Sequence, residues 1–355
     1  TATTEIYTLS LTTLFRSMIM KSPFTDGEAT LQYEKRELEF RKDVFTVTQF
    51  YYRCSDTKEE FTTDELDQIN VNQLYNQYRE RYGVPFPDEI KEIREQYGLS
   101  ATKMSEILGF GVNSYRQYEG GDIPTVASGR LIQAAKDPEE FKKFLDDSKA
   151  VLTDREYKRF SERVAELIEK SKENLWESLF TEQIFSHSKP TEYTGYRKPS
   201  LERIAMIIAY FSTHISDLWK TKLNKLLFYS DFLNYRRSGY SISGIAYRAI
   251  PFGPVPAEYD KLYVKLKDDE FADIELVEFN DGNYGEAVSA IKEFEEDAFS
   301  KIELKTLEDV AKKFAQCNTK QIVSISHKEK AWLENEPGHE LISYQKYAFE
   351  LQAIK

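Results

Sequence analysis

The chain has 355 residues, and since domains average about 150 residues, this length predicts two to three domains. Hydrophobic residues make up 41% and aromatic residues 14%, which excludes a disordered protein. The formal net charge of −12 argues against non-specific coating of nucleic acid and is compatible with a basic protein partner. No apolar run reaches the ~18 residues of a membrane-spanning helix, and Cys54 and Cys317 cannot build a disulfide framework. We therefore expect a cytoplasmic protein with no membrane partner.

The first part of the chain predicts a small β segment followed by a helix. Met20 begins a stretch typical of a native start, so residues 1–19 are interpreted as an upstream extension. β-Branched and aromatic residues cluster from Glu28 to Arg53 and predict a β-hairpin or a small meander. Thr62-Thr-Asp-Glu then starts a helix as a capping box. These elements together form the segment 20–84.

A helical segment follows over residues 85–147. Ser100 caps a helix that runs to Leu108, Gly109-Phe-Gly makes a turn, and another helix covers Val112 to Glu119. Two helices joined by such a turn are the motif that places its second helix in the DNA major groove. A plain helical hairpin is the alternative, which is favoured by the excess of acidic over basic residues in this segment.

The second helix of this motif carries side chains suited to reading bases. If Val112, Tyr115 and Tyr118 face the core, the outward residues include an Asn and a Gln for adenine and an Arg for guanine or phosphate. The start of the preceding helix could hold a phosphate. The predicted DNA-binding residues are Ser100, Thr102, Lys103, Asn113, Ser114, Arg116 and Gln117. Because such motifs bind paired half-sites, we expect a homodimer on double-stranded operator DNA.

The remaining elements complete an α+β chain that is mostly α-helical. Residues 148–200 read as a connection: an amphipathic helix from Asp154 to Phe180, which either packs on its own chain or dimerises, and a linker from Ser186 to Ser200. We then predict a helix from Leu201 to Tyr235 and a strand from Ile242 to Ile250. Gly253-Pro-Val-Pro should form a rigid turn that starts a helix. A hairpin at Asn280-Asp-Gly-Asn and further helices follow.

The helix-turn-helix segment resembles that of MqsA-type antitoxins. The stretch from Leu99 to Gly121 shares Gly-Val-Asn, an aromatic residue, and then Tyr-Glu and Gly with that family, and the likeness extends from Met20 to about Leu145. The family reads bases with an Asn and an Arg. Asn113 matches the Asn, whereas Gln117 occupies the Arg position.

The same resemblance implies a degenerate zinc ribbon in the β segment. The family builds the ribbon from two cysteine pairs, whose positions are held here by Ser22, Thr25, Cys54 and Thr57. The implied segment is therefore free of metal, and apolar packing must replace the ion. The residues predicted to supply that core are Leu31, Tyr33, Phe45, Val47 and Phe50.

The C-terminal segment, 201–355, resembles the Panacea or SocA-like antitoxin domain. The stretches that carry the likeness are Asn224-Lys-Leu-Leu-Phe-Tyr-Ser-Asp-Phe, Tyr240-Ser-Ile-Ser-Gly, Tyr247 with Gly253-Pro-Val-Pro, and Ser326-His-Lys-Glu-Lys-Ala-Trp. The resemblance implies a domain that neutralises toxins by direct binding, and one relative instead delivers a toxin to a protease. The family is not known for catalysis.

Aromatic and basic residues in this segment are candidates for toxin contact, because a few aromatic anchors carry most interface energy. The candidates are Lys225, Tyr229, Tyr235, Tyr259 and Trp332, with a place in the core as the alternative for each. The sequence has no phosphate-binding Gly-Lys-Ser loop and no Ser nucleophile elbow. No catalytic residue, metal ligand or cofactor is predicted.

These observations predict the antitoxin of a type II toxin–antitoxin system. It would neutralise a protein toxin encoded nearby and repress its own operon through the helix-turn-helix. The alternative is a transcriptional regulator of a mobile element, or a protease adaptor, without a toxin role.

Overall fold

The computed structural model describes residues 19–173, 184–185, 188–279 and 282–354, and its fold is α+β, as predicted. Close contacts divide the chain into two compact units. One unit joins the described residues up to Leu74 with those from Thr191 onward, and the other runs from Tyr75 to Pro190. The first unit therefore contains both the N-terminal β segment and the predicted C-terminal domain. None of the described helices is long and apolar enough to cross a membrane.

The first unit opens with an antiparallel sheet in the order β1-β2-β3-β4. Its strands are β1 (Ile19–Lys21), β2 (Glu28–Phe40), β3 (Asp43–Cys54) and β4 (Glu60–Phe61). The hairpin of β2 and β3 confirms the prediction for this segment. Arg41 and Lys42 form its two-residue turn with φ of 49° and 75°, the positive values that a tight hairpin turn needs.

Strand β3 is covered by helix α1 (Asp64–Tyr82). The side-chain amide of Gln73 both donates to and accepts from the backbone of Thr48, at 2.9 Å each way. The amide of Asn70 does the same with Phe50, at 2.8 and 2.9 Å. The helix thus satisfies backbone groups that a further strand would otherwise pair.

This cover explains which predicted core residues of the β segment are buried. Phe45, Val47 and Phe50 are buried on β3, as predicted. Tyr33 on β2 is 57% exposed, so its assignment to the core was wrong, and Leu31 is half-buried. The reason is that α1 lies along β3 rather than β2, which leaves most of β2 facing solvent.

The second unit consists mainly of helices: α2 (Pro87–Glu95), α3 (Ala101–Ile107), α4 (Ser114–Glu119), α5 (Val126–Ala134), α6 (Pro138–Asp147) and α7 (Asp154–Glu173). Phe160 and Val164 of α7 enter the same core as Met104 and Tyr115, so this helix packs on its own chain, one of the two predicted alternatives. Its predicted continuation to Phe180 lies outside the described residues.

The C-terminal part of the first unit surrounds two small hairpins with helices. Its elements are α8 (Leu201–His214), α9 (Lys220–Ser238), β5 (Tyr247–Ile250), β6 (Gly253–Pro256), α10 (Tyr259–Asp268), β7 (Ala272–Glu278), β8 (Tyr284–Ala290), α11 (Lys301–Phe314), α12 (Thr319–Ser326), α13 (Lys330–Leu333) and α14 (Tyr344–Tyr347). Strands β7 and β8 confirm the predicted hairpin around Asn280, although residues 280–281 themselves are not described.

Several predicted boundaries in this part were wrong. The long helix is divided into α8 and α9 near Asp217, whose φ of 53° cannot continue a right-handed helix. Gly253-Pro-Val-Pro forms strand β6 instead of starting a helix, which begins only at Tyr259. The described end of the predicted linker is packed, since Thr194 and Tyr196 are buried.

Candidate functional site

Helix α9 passes through the core, and its buried carboxylate organises the residues that follow. Asp231 accepts hydrogen bonds from the backbone N–H groups of Ile242 and Ser243, each at 2.8 Å. The hydroxyls of Ser243 and Tyr247 also donate to it, at 2.5 and 2.7 Å. Burial raises the pKa of Asp231, and the four donors oppose this shift because they favour the ionised form. The carboxylate therefore fixes the chain between α9 and β5.

Six residues earlier on α9, Lys225 holds strand β6 in place. Its buried Nζ donates to the carbonyl of Pro254 at 2.9 Å, and burial lowers the pKa of Lys225 to about 7. Gly253 lies beside it with φ of 96°. A Cβ at that position would approach the Lys225 Cε and the Ser326 Oγ to 2.6 Å, so only glycine allows this contact.

The predicted toxin-binding residues fall into a buried and an accessible group. Lys225, Tyr229 and Tyr235 are fully buried, which places them in the core. The Tyr229 hydroxyl donates to Glu329 at 3.3 Å, and the Tyr235 hydroxyl donates to Gln345 at 2.5 Å. These three side chains shape the domain from within, so they offer no surface to a partner.

Tyr259 and Trp332 are partly exposed. Tyr259 begins α10, with the Lys220 ammonium 5.8 Å from its ring centroid. Trp332 stacks on His327 at 3.9 Å, and its indole N–H donates to the Ile250 carbonyl at 2.8 Å. Trp332 is thus held rigidly against the end of β5.

An exposed apolar surface adjoins Trp332, and the sequence analysis missed it. Phe252 follows Ile250 in the turn between β5 and β6 and is 68% exposed, and Leu333 at the end of α13 is 52% exposed. We call Phe252, Trp332 and Leu333 the Phe252–Trp332 surface. The position of Phe252 immediately before Gly253-Pro-Val-Pro, a predicted turn, is the one feature of the sequence that could have indicated this surface. A sequence cannot show, however, that the Phe252 ring faces solvent.

In the second unit, α3 and α4 are joined by contacts between their buried faces. The Ser105 hydroxyl accepts from the N–H of Tyr115 at 3.1 Å, and the Tyr115 hydroxyl donates to the Ile90 carbonyl at 2.8 Å. Arg94 binds both carboxylate oxygens of Glu119, at 2.5 and 3.3 Å. These bonds fix the direction of α4.

The connection between α3 and α4 is longer than predicted. Helix α4 begins at Ser114, so Val112 lies in the turn and is 62% exposed, and its predicted place in the core was wrong. Asn113 consequently occupies the N-cap position. Glycine at 111 and a left-handed Gly109, with φ of 70°, give the connection this freedom.

The predicted DNA-binding residues lie along these two helices. Asn113, Arg116 and Gln117 are exposed, and within the described residues their side chains have no hydrogen-bond or ion-pair partner. Ser114 and Thr102 are half-buried. Ser100 is engaged as the N-cap of α3, where it accepts from the N–H of Lys103 at 3.2 Å.

Lys103 is already paired with acidic residues. Its Nζ lies 2.8 Å from a carboxylate oxygen of Glu106 and 3.3 Å from one of Glu156. A phosphate contact by Lys103 would therefore compete with two carboxylates.

The four ribbon positions converge in the first unit around the buried Cys54 thiol. The Ser22 hydroxyl, the Thr57 N–H and the Thr57 hydroxyl donate to Sγ and lower the pKa of Cys54 to about 6. The Thr25 hydroxyl is 3.6 Å from Sγ. Three hydroxyls thus surround one sulfur, and no group of three or more His, Cys, Asp or Glu residues able to hold a metal occurs among the described residues.

Comparison with known proteins gives a result for the C-terminal part alone. Residues 223–333 match the family model described as Antitoxin SocA-like, Panacea domain. No curated protein and no solved structure matches the chain significantly. The match contains Lys225, Asp231, Gly253-Pro-Val-Pro and the Phe252–Trp332 surface. Residues 223–333 of this chain therefore form a SocA-like Panacea domain.

Proposed function

We propose that the chain is an antitoxin that neutralises a protein toxin encoded beside it by direct binding. The observation that carries the proposal is the match of residues 223–333 to an antitoxin domain family. An antitoxin needs a toxin partner, and the acidic net charge of −12 favours encounter with a basic one.

The Phe252–Trp332 surface is the contact that we propose for the toxin. Exposed aromatic and aliphatic side chains on a rigid support are the usual anchors of an interface, since little conformational entropy is lost when they are buried. Trp332 has this support from His327 and Ile250. Phe252 and Leu333 add apolar area that water covers in the free protein.

Co-purification of the full chain with the product of the neighbouring reading frame tests this proposal. We expect a stable complex, which Phe252→Ser combined with Leu333→Ser weakens about 10- to 100-fold. Leu276→Ser is the matched control, because Leu276 is 69% exposed on β7, outside the surface. A complex that survives the double substitution, or fails with the control, argues against this interface.

We also propose that α4 reads operator DNA and that the chain represses its own operon as a homodimer. What supports this is the exposed, unpartnered set Asn113, Arg116 and Gln117. Their support is the Ser105–Tyr115 and Arg94–Glu119 contacts, which hold α4 rigidly. Fluorescence anisotropy with the DNA upstream of its own gene tests this second activity, and light scattering tests the dimer.

A further inference from the structure

A pocket of about 520 Å³ opens in the C-terminal part of the first unit, and its lining includes no residue of the Phe252–Trp332 surface. One wall is the chain that enters α9, including Asp217 and Trp219. The other wall is the connection from α11 to α12, including Cys317 and Thr319. A pocket of this volume suits a small molecule rather than a folded partner.

Lys222, on the first turn of α9, lines this pocket and is only 3% exposed. Within the described residues its ammonium group has no hydrogen bond and no carboxylate at ion-pair distance. Burial lowers the pKa of Lys222, although Asp217 and Cys317 act weakly in the opposite direction. The side chain is packed along its length, and its ammonium group, which has no partner among the described residues, opens into the pocket, where a bound anion would supply one.

The N-terminus of α12 adds further donors to the same pocket. Asn318 and Gln321 form a capping box, which uses the N–H groups of these two residues. The N–H groups of Thr319 and Lys320, and the Thr319 hydroxyl, have no partner in the described part of the chain. Free N–H groups at the positive end of a helix dipole are a common anion site.

The local charges favour an anion even though the chain is acidic overall. Lys222 and Lys320 contribute two positive charges, whereas Asp217 is the one acidic residue lining the pocket. Since the net charge of the chain is −12, its long-range field repels anions. Binding must therefore rest on these local donors.

We propose that this pocket binds the phosphate group of a small molecule. The pocket offers four donor groups: the Lys222 ammonium, the N–H groups of Thr319 and Lys320, and the Thr319 hydroxyl. Four donor groups are more than the two oxygens of a carboxylate need, and they match the several acceptor oxygens of a phosphate. Trp219, whose ring is 4.9 Å from that of Phe279, offers an aromatic wall to the organic part of the molecule. The proposal is independent of the toxin and DNA proposals.

Titration of the full chain with inorganic phosphate, AMP and adenosine tests the site by calorimetry and by tryptophan fluorescence. We expect inorganic phosphate to bind with a Kd of about 1 mM and AMP to bind more tightly, with no binding of adenosine. Binding by inorganic phosphate alone would identify free phosphate as the ligand, and tighter binding of AMP a phosphate monoester. Phosphate should also slow alkylation of Cys317 by iodoacetamide, since Cys317 lines the pocket.

Two variants and a control distinguish phosphate binding in this pocket from non-specific attraction to positive charge. Lys222→Met should weaken phosphate binding about tenfold or more, and its melting temperature should not fall because the ammonium group has no protein partner to lose among the described residues. Thr319→Pro removes the N–H and the hydroxyl at the first position of α12, where proline is well tolerated, and should weaken binding several-fold. Lys312→Met, an exposed lysine on α11 outside the pocket, is the control.

The absence of saturable phosphate binding at about 20 mM would overturn the proposal. Equal binding by the Lys222→Met variant would also overturn it, and so would adenosine binding as tightly as AMP.

Discussion

The Tyr247 hydroxyl donates a 2.7 Å hydrogen bond to the Asp231 carboxylate, and thereby joins strand β5 to the buried helix α9. Both residues lie in the stretches by which this domain resembles its family, and both are fully buried. A carboxylate is tolerated in the core only where hydrogen-bond donors surround it. This bond therefore explains why an aspartate at position 231 goes with a tyrosine at position 247.

Tyr247→Phe should lower the free energy of unfolding by about 1–3 kcal/mol, because it leaves a buried charged acceptor with one donor fewer. Tyr263→Phe is the matched comparison, since the Tyr263 hydroxyl donates at 2.9 Å to the neutral amide of Asn224. Urea denaturation of both variants should show the larger loss for Tyr247→Phe. Equal losses would mean that Asp231 is not ionised in the folded protein.

Lys225 should make the stability depend on pH. Its pKa of about 7 in the folded protein lies below the unfolded value of about 10.4, so the unfolded chain binds more protons between these values. The stabilising contribution is therefore complete above the unfolded pKa and is lost as the pH falls towards 7. Between pH 9 and pH 7.5 the wild type should lose about 2 kcal/mol more than Lys225→Met. If the lysine instead stays charged in the folded protein, parallel urea titrations of the two proteins would show no extra loss in the wild type.

The Cys54 cluster should need no metal. A chelator should leave the melting temperature of the wild type unchanged, because hydroxyls from Ser22, Thr25 and Thr57 occupy the space around Sγ. The triple substitution Ser22→Cys, Thr25→Cys and Thr57→Cys should create a site that binds one zinc ion through four sulfurs. Adding Cys54→Ser to the triple variant is the control that should weaken zinc binding. Stoichiometric zinc in the purified wild type would contradict this account.

Asn113→Ala and Gln117→Ala should each weaken binding to operator DNA by about 1–3 kcal/mol, and should affect random DNA much less. Gln352→Ala, an exposed glutamine near the C-terminus, serves as the control. Lys103→Ala should weaken binding to all sequences alike and flatten the salt dependence. Unchanged operator affinity in the Asn113→Ala, Gln117→Ala double variant would remove α4 from the DNA interface.

Local signals in the sequence predicted elements better than they predicted exposure. The cluster of β-branched and aromatic residues placed the β2–β3 hairpin, and the capping residue Ser100 placed the start of α3 correctly. On α9, Lys225, Tyr229 and Tyr235 recur on one helical face, a pattern equally typical of a binding surface and of a core. Because α9 is buried on every side, its periodicity carries no information about which face a partner could reach.

Features made by distant segments could not be predicted. Gly253-Pro-Val-Pro forms a strand that pairs with the adjacent β5 and accepts a hydrogen bond from the Lys225 ammonium, a contact between residues 29 positions apart in the sequence. The phosphate pocket joins α9 to the start of α12, about 100 residues later, and its free N–H groups depend on how the capping box is satisfied. Tyr33 was misassigned for a similar reason, since the position of α1 decides which strand is covered.

The central claim, that this chain is an antitoxin, is tested most directly by growth of cells that express the neighbouring gene under an inducible promoter. Expression of that gene alone should arrest growth, and co-expression of the full chain should restore it. The Phe252→Ser, Leu333→Ser variant should fail to restore growth at equal protein level, whereas Leu276→Ser and Asn113→Ala should succeed, because neither touches the proposed toxin contact. Arrest that persists with the wild-type chain, or a neighbouring gene that is harmless when expressed alone, would contradict the account.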